Sequence, residues 1–156
     1  MKMSDKGTEF FGVDPAQSPA VFKLGCITGI DGLSGARQQI DVTCFSSEEM
    51  EYEAGRANPG QITISGIYDT DDLVFPQLVA LKDNGTTIGW YIGGSDGTDP
   101  PTENSIGEVE PPTTRTGIDF RGYVADITWQ IQPNNKWRYQ LIIQRSGPWH
   151  LTPKTP

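Results

Sequence analysis

The stretch QQIDVTCF, residues 38–45, alternates apolar and polar side chains, and QITISGIY, residues 61–68, begins with the same alternation. A period of two places successive side chains on opposite faces of a β-strand. Both stretches are therefore predicted as strands with one apolar and one polar face. They form the clearest strand signal in the chain and favour a mainly β fold.

Residues 46–59 separate these two strands and are acidic at their start. The segment ends at Asn58-Pro59-Gly60, a sequence typical of a turn. Fourteen residues are too many for a tight hairpin turn, so we expect this loop to project from the domain.

Outside this region, β-branched and aromatic runs predict further strands at 21–30, 86–92, 117–131 and 136–146. Residues 73–83 have nearly helical apolar spacing, and Asn84-Gly85 supplies a stop, which predicts one short helix. Residues 93–116 are rich in Gly, Pro and acids and are predicted as a long surface loop. Because the order lacks regular βαβ alternation, a β-sandwich or barrel with one covering helix is expected.

The chain has 156 residues, with 18 Gly and 12 Pro, which suits one domain built from short strands and turns. We predict that the domain spans residues 21–147. Residues 1–20 are expected to form an extended N-terminal arm anchored by Phe10 and Phe11. Residues 148–156 are expected to form a C-terminal arm anchored by Trp149.

The net charge of −8 argues against a protein that grips nucleic acid, because such binding depends on Lys and Arg neutralising phosphates. The charge is also uneven along the chain. Residues 41–72 contain eight acids and one base, Arg56, whereas residues 121–156 contain five bases and one acid, Asp126. This polarity fits either a scattered solvated surface or head-to-tail complementarity between identical subunits.

Cys26 and Cys44 each lie within a predicted strand and have no nearby cysteine, so neither a disulfide framework nor a metal site is indicated. We expect both to be buried free thiols. Residues 1–9 lack an apolar core of a signal peptide, and no run approaches the roughly 18 apolar residues of a membrane helix. A soluble protein made in the cytoplasm, without membrane insertion, is expected.

The most suggestive enzymatic motif is GGSDG, residues 93–97, which fits the G-x-S-x-G pattern around Ser95. Asp119 or Asp126, followed by His150, would complete the chain order of an α/β-hydrolase triad. A nucleophile elbow requires a helix directly after the serine, and the sequence TDPPT that follows cannot begin one. The motif is therefore interpreted as a Gly-rich turn.

Two other groups of residues resemble binding sites. Asp69, Asp71 and Asp72 lack the remaining ligands of an EF-hand loop and are better explained by the helix that follows them. No nucleotide-binding or metal-binding motif occurs, so no cofactor is expected. An aromatic ligand platform, as in a free-standing carbohydrate-binding β-sandwich, remains an alternative based on four tryptophans, Trp90, Trp129, Trp137 and Trp149.

Several segments, in this order, resemble the major tail tube proteins of long-tailed bacteriophages. They are GIDG (29–32), RQQIDVT (37–43), FSS (45–47), PGQITISGIYD (59–69), FRGYVAD (120–126) and RSG (145–147). The resemblance covers most of residues 24–147. It implies two packed sheets flanked by a helix, in a virion protein whose hexameric rings close an inner β-barrel and stack into a hollow tail tube.

The resemblance also implies roles for the two alternating strands. Their apolar residues would face the core, namely Ile40, Val42, Ile62 and Ile64. Their polar residues would face a wet lumen or solvent, namely Gln39, Asp41, Thr43, Gln61, Thr63 and Ser65. A polar, acid-biased lumen would let genomic DNA pass without specific binding.

The loop at 46–59 is then the expected contact between rings. It would meet the basic C-terminal region of the next ring, and the candidate residues are Glu48, Glu49, Glu51, Glu53, Arg56, Lys136, Arg138 and Arg145. The two arms would add further contacts. Implied partners are other copies of the chain, a tape-measure protein, and tail terminator and baseplate proteins. A secretion-system tube or a tail terminator is the closest alternative identity.

Overall fold

The computed structural model describes residues 2–155, which form twelve strands and one helix. In chain order these are β1 (Glu9–Val13), β2 (Val21–Leu24), β3 (Ile27–Asp31), β4 (Arg37–Asp41), β5 (Tyr52–Ala57), β6 (Gln61–Ile67), α1 (Val74–Asn84), β7 (Thr87–Gly93), β8 (Thr102–Glu103), β9 (Val109–Glu110), β10 (Gly117–Gln130), β11 (Arg138–Arg145) and β12 (His150–Thr152). The fold is mainly β with one helix, as predicted.

The main sheet is antiparallel and follows the order β2-β1-β7-β10-β11-β6-β3, with β12 paired to the start of β10. Its two outermost strands, β2 and β3, are separated in the chain by only Gly25-Cys26. Such a short link holds the two ends of the sheet close together, so the sheet curls around its own core. The long strand β10 pairs with β7 through its first half and with β11 through its second, with a bulge between Val124 and Asp126.

The core lies inside this curl and draws apolar side chains from both halves of the sheet and from the helix. Burying each Leu, Ile or Phe contributes about 1.5–3 kcal/mol. The largest contributors are Phe10, Trp90 and Phe120 from one half, Ile62, Ile64, Tyr139 and Leu141 from the other, and Phe75 and Leu78 from α1. Burial of Ile62 and Ile64 confirms the predicted apolar face of β6.

Helix α1 matches the predicted helix to within one residue at each end. The side chain of Asp72 accepts a hydrogen bond from the Val74 backbone N–H at 3.1 Å. At the other end Gly85 adopts a left-handed conformation, with φ of 63°, and its N–H donates to the carbonyl of Leu81 at 3.0 Å. This is the Gly stop that Asn84-Gly85 predicted.

The prediction of one strand over residues 21–30 is wrong, because Gly25-Cys26 divides it between the two ends of the sheet. Cys26 has a φ of 52° at this break and is exposed. Cys44 is also exposed, beyond the end of β4. The prediction of buried thiols is therefore wrong for both cysteines, since neither lies in a strand of the core.

The prediction of an extended arm over residues 1–20 is wrong for Glu9–Val13. This segment is β1, an interior strand between β2 and β7, in which Phe10 and Phe11 are both buried. Consecutive buried residues mark a strand covered on both faces, a pattern without alternation. At the other end of the chain, residues 150–152 form β12 against β10 and are likewise not a free arm.

Two predicted loops contain structure. Residues 46–59 include β5, which pairs with β4, and residues 93–116 include the short β8–β9 hairpin. Within residues 2–155, no helix has the length and apolar character needed to cross a membrane.

Candidate assembly surfaces

Strands β4 and β5 form a two-stranded hairpin that pairs with no strand of the main sheet. We call residues 37–57 the projecting hairpin. At its outer part the Thr43 hydroxyl donates to the carbonyl of Glu51 at 3.2 Å and accepts from the Glu51 N–H at 2.8 Å. The Thr43 side chain and backbone lower the pKa of the Asp41 carboxyl group, which accepts a hydrogen bond from the Thr43 backbone N–H at 2.9 Å. These bonds brace the hairpin without any contribution from a core.

The predicted core positions Ile40 and Val42 lie on this hairpin and are 48% and 37% exposed. Their assignment to the core is therefore wrong. The physical reason is that β4 pairs with β5 and not with β6, so neither face of the hairpin meets the main sheet. For the same reason Gln39, Asp41 and Thr43 do not share a sheet with the polar residues of β6.

The hairpin carries the acids predicted to contact a neighbouring ring, Glu48, Glu49, Glu51 and Glu53, together with Arg56, and all five are exposed. None of the four glutamates forms an ion pair within the described part of the chain. Its tip also exposes apolar side chains, with Phe45 and Met50 the most exposed and Tyr52 46% exposed. The hairpin thus presents charge and apolar area together.

Gln61, Thr63 and Ser65 lie on the face of β6 opposite its buried isoleucines. Their cross-strand partners on β11 are Gln144, Ile142 and Gln140. These six side chains form an uncharged and mostly polar strip across the outer face of the curled sheet. We call them the polar strip.

The three predicted basic contacts do not form one patch. Lys136 and Arg138 lie near the β10–β11 turn, whereas Arg145 lies at the other end of β11, about 23 Å away along the strand. Arg145 is also buried, at 3% exposure, so its prediction as a surface contact is wrong. Burial lowers the pKa of its guanidinium, whose Nε and Nη1 lack hydrogen-bond partners in the described structure.

This arrangement gives the sheet two different ends. The projecting hairpin joins the body beside Gly60, whose carbonyl accepts a hydrogen bond from the Arg145 N–H at 3.2 Å. Lys136 and Arg138 lie at the opposite end of β6, where Arg138 pairs with Ile67, the last residue of that strand. Next to this pair the Tyr68 N–H donates to the carbonyl of Trp137 at 2.9 Å. The acidic hairpin and the basic turn are therefore at opposite ends of the same strands.

A group of aromatic side chains lies at the basic end. Ring centroids are 5.2 Å apart between Tyr68 and Trp129 and 6.0 Å apart between Trp129 and Trp137. Trp129 and Trp137 are 41% and 52% exposed. An open cleft of about 430 Å³ is lined by Tyr68, Thr70 and Trp137. We call it the aromatic cleft.

The other two tryptophans are elsewhere, so the four do not form one platform. Trp90 is fully buried and its indole N–H donates to the carbonyl of Gly122 at 3.0 Å. Trp149 is 39% exposed and precedes β12. Beyond β12, the Lys154 ammonium donates to the carbonyl of Asp96 at 2.9 Å, so the C-terminal segment lies against its own subunit.

Sequence reasoning missed Arg115, which it placed in a surface loop. Arg115 is fully buried, and its Nε donates to the carbonyl of Gly94 at 2.7 Å while Nη2 donates to the Glu9 carboxylate at 2.9 Å. Burial alone would raise the pKa of Glu9, but hydrogen bonds and charge from Lys23 and Arg115 hold it below its ordinary value. No sequence signal distinguishes Arg115, because its partners lie 21 and 106 residues away.

The enzymatic motif does not assemble. Ser95 follows β7 in a turn that leads to β8, not to a helix. Asp119 and His150 are cross-strand neighbours on β10 and β12 and line a cavity of about 150 Å³, but Ser95 does not line it. Among residues 2–155 no cluster of three or more His, Cys, Asp or Glu side chains is placed to hold a metal ion.

Comparison with known proteins places this fold in a family. Residues 1–155 match the model of the lambda-like phage tail tube (TTP) family. The chain is 34% identical over 154 residues to "Structural protein 3" of Pseudomonas phage PAJU2, covering 96% of this chain and 93% of that protein.

Solved structures share the fold at low sequence identity. The SPP1 tail tube superposes with a TM-score of 0.72 at 7% identity, over 99% of this chain and 81% of that one. The tail of an empty gene transfer agent particle, refined with C6 symmetry, gives a TM-score of 0.67 at 14% identity, over 97% and 99% of the two chains. A chain from the sheath–tube complex of an extracellular contractile injection system gives a TM-score of 0.65 at 10% identity, over 96% of this chain and 90% of that one. The curled sheet with its projecting hairpin is thus a fold shared by tail and injection tubes, and the chain belongs to the lambda-like phage tail tube protein family.

Proposed function

We propose that this tail tube protein forms hexameric rings that stack head to tail into a hollow tube. The observation that carries the proposal is the placement of the acidic projecting hairpin and the basic β10–β11 turn at opposite ends of the same strands. Two different surfaces at opposite ends of a subunit make a heterologous contact, which propagates along an axis. The C6 symmetry of the gene transfer agent tail supports six subunits per ring.

The contact between rings is assigned to the hairpin residues Glu48, Glu49, Glu51, Glu53 and Arg56 on one side and to Lys136 and Arg138 on the other. Gln39, Asp41 and Thr43 belong to the same hairpin and so brace this contact. Exposed ion pairs are individually weak, about 0–1 kcal/mol each. Because six subunits repeat these ion pairs around the ring, their summed contribution to the contact is significant. This contribution should fall as the salt concentration rises.

The polar strip, including Gln61, Thr63 and Ser65, is assigned to the lumen. It carries no charge and no aromatic side chain, so it offers no cation to retain phosphate and no ring on which bases can stack. Genomic DNA would therefore pass without specific binding. The fold supports the assignment, since the strip spans adjacent strands of the curled sheet with the core behind it.

The remaining parts of the proposal follow from membership of the family. The protein acts in the virion tail after assembly in the host cytoplasm, in contact with tape-measure, terminator and baseplate proteins. Its role is structural, without catalysis and without a cofactor. Phe10 and Phe11 hold the N-terminal segment to the body, and Trp149 is left to contact a neighbouring subunit.

Negative-stain electron microscopy of concentrated purified protein tests the assembly, with rings or tubes of six-fold symmetry expected. The variant E48K/E49K should form isolated rings but not tubes, and adding K136E/R138E should restore tubes. Glu103 and Glu110, on the exposed β8–β9 hairpin, provide the matched control E103K/E110K, which should assemble normally. A wild-type protein that remains monomeric at high concentration would overturn the proposal.

A further inference from the structure

We infer that the apolar tip of the projecting hairpin inserts into the aromatic cleft of the next copy of this chain. The inference rests on the proposed head-to-tail stacking and deepens it, because it names an apolar anchor within a contact so far described by charge alone. The occupant is a second copy of this chain, and the anchoring side chain is Phe45.

Phe45 is left in water in the isolated subunit. Its side chain is fully exposed at the hairpin tip, and Met50, which also lies between β4 and β5, is 65% exposed. An aromatic side chain buries about 150–250 Å² when it is covered, so Phe45 leaves a large apolar area in water. Phe45 cannot contribute to a core within the isolated hairpin. Its position at the tip therefore indicates that a partner covers it.

The aromatic cleft has rigid aromatic walls. Its walls are the rings of Tyr68 and Trp137, with Thr70 at its edge. Trp137 is supported from behind by Trp129, which is itself packed against Phe75 at 5.3 Å between centroids. The walls are therefore held in place by the core, and another aromatic side chain can stack on them without distorting the subunit.

Charged residues near the cleft and the hairpin tip orient the insertion. In the chain, Lys136 and Arg138 are the neighbours of Trp137, whereas Asp69 and Asp71 are the neighbours of Thr70. Glu48 and Glu49 follow Phe45 closely around the hairpin tip. Opposite charges attract and like charges repel, so these glutamates are directed towards Lys136 and Arg138 and away from Asp69 and Asp71.

The projecting hairpin and the aromatic cleft lie at opposite ends of one subunit. The hairpin joins the body before Gln61, at the start of β6, and the cleft begins at Tyr68, after the end of β6. Strand β6 is seven residues long and therefore separates the two features by about 23 Å. The hairpin tip is exposed and lies outside the cleft of its own subunit. It can therefore fill only the cleft of another copy, and this contact has one direction along the axis.

Disulfide trapping tests the contact, because Cys44 already lies next to Phe45. In the variant C26S/T70C, oxidation of assembled protein should link Cys44 of one copy to the introduced thiol of the next. A ladder of dimers and higher multimers is expected on a non-reducing gel. The matched control C26S/V79C places the second thiol on helix α1, where Val79 is 42% exposed, and should give no ladder.

Substitution tests the energetics. The variants F45A and W137A should each raise the protein concentration needed for tube formation by about tenfold or more, as anchoring aromatic residues do at interfaces. F45L should retain most of the assembly. The unfolding midpoint of the F45A subunit should match wild type, since the exposed Phe45 side chain supports no core.

The outcomes separate the two proposals. Wild-type tubes that form while the T70C and V79C variants give no ladder, or equal ladders, would overturn the apolar anchor and leave head-to-tail stacking intact. Normal assembly of F45A would overturn it as well. Absence of rings and tubes from the wild-type protein would overturn the stacking proposal itself, and the anchor with it.

Discussion

Arg115 Nη2 lies 2.9 Å from the Glu9 carboxylate and joins the first strand of the sheet to the segment that leads into the longest strand. The guanidinium is fully buried, lies 5.8 Å above the ring of Phe11, and also donates to the backbone carbonyls of Gly7, Gly94 and Asp99. A buried charge of this kind is tolerated only because each of its three nitrogens has a hydrogen-bond partner. It fixes the N-terminal segment to the body.

Replacing Arg115 by methionine should therefore destabilise the subunit strongly. The variant keeps most of the side-chain volume but leaves several carbonyl groups and the Glu9 carboxylate without their buried donor. We expect a loss of about 3 kcal/mol, typical of breaking a buried ion pair from one side. Urea unfolding of dilute, unassembled protein measures it, with Arg121→Met as control because the Arg121 side chain is only half-buried. An effect below about 1 kcal/mol would contradict the assigned role.

Glu9 should make the subunit less stable at low pH. Its folded-state pKa lies below the ordinary 4.5, so its contribution is complete above pH 4.5 and is lost as the pH falls through the folded value. The difference in free energy of unfolding between wild type and E9Q should therefore shrink from pH 7 to pH 3. Thermal or urea unfolding across that range checks it. A difference that is constant with pH would contradict this account.

Replacing Arg145 by methionine should stabilise the subunit, whereas replacing Arg115 should destabilise it. Its Nε and Nη1 are buried without partners, so the subunit bears the desolvation of a charge that no carboxylate offsets. Arg145→Met should raise the free energy of unfolding of the isolated subunit by about 1–2 kcal/mol. The measurement is the urea midpoint at unchanged slope. Destabilisation would show that the guanidinium has a partner in solution.

Gly12 should tolerate no side chain, because a Cβ placed there would lie 2.2 Å from Cζ of the Phe22 ring. Gly12→Ala should cost about 1–3 kcal/mol through displacement of a buried aromatic ring. Gly29 in β3 is the matched control, since a Cβ there meets nothing within 4 Å, and Gly29→Ala should be neutral or slightly stabilising. Equal effects of the two substitutions would contradict the packing argument.

The sequence was sufficient for elements whose signal is local. Helix α1 was predicted because Asp72 and Gly85 bound it and its leucines share one face. The β10–β11 hairpin and the apolar face of β6 were predicted because alternation and turn residues lie within a few positions of each other. Burial of Ile62 and Ile64 confirms the predicted apolar face of β6.

Pairing could not be predicted in the same way. Ile40 and Ile62 occupy equivalent positions in two similar strands, yet Ile62 is buried and Ile40 is 48% exposed, because only β6 joins the main sheet. Likewise Phe10 and Phe11 were assigned to an arm because their strand neighbours, β2 and β7, are set by contacts across the fold. The separation of Arg145 from Lys136 and Arg138 follows from its position at the far end of β11.

The sequence by itself determined the mainly β class, the position of the single helix, the acidic character of the segment that projects, and the resemblance to a family of tube-forming proteins. These depend on residue type and short-range periodicity, which the chain carries in every conformation. Only the tertiary structure decided which strand leaves the sheet, which arginines are buried, and that the acidic hairpin and the basic aromatic end face opposite directions along β6. Those properties depend on contacts between residues far apart in the chain, and such contacts exist only once the sheet has closed around its core.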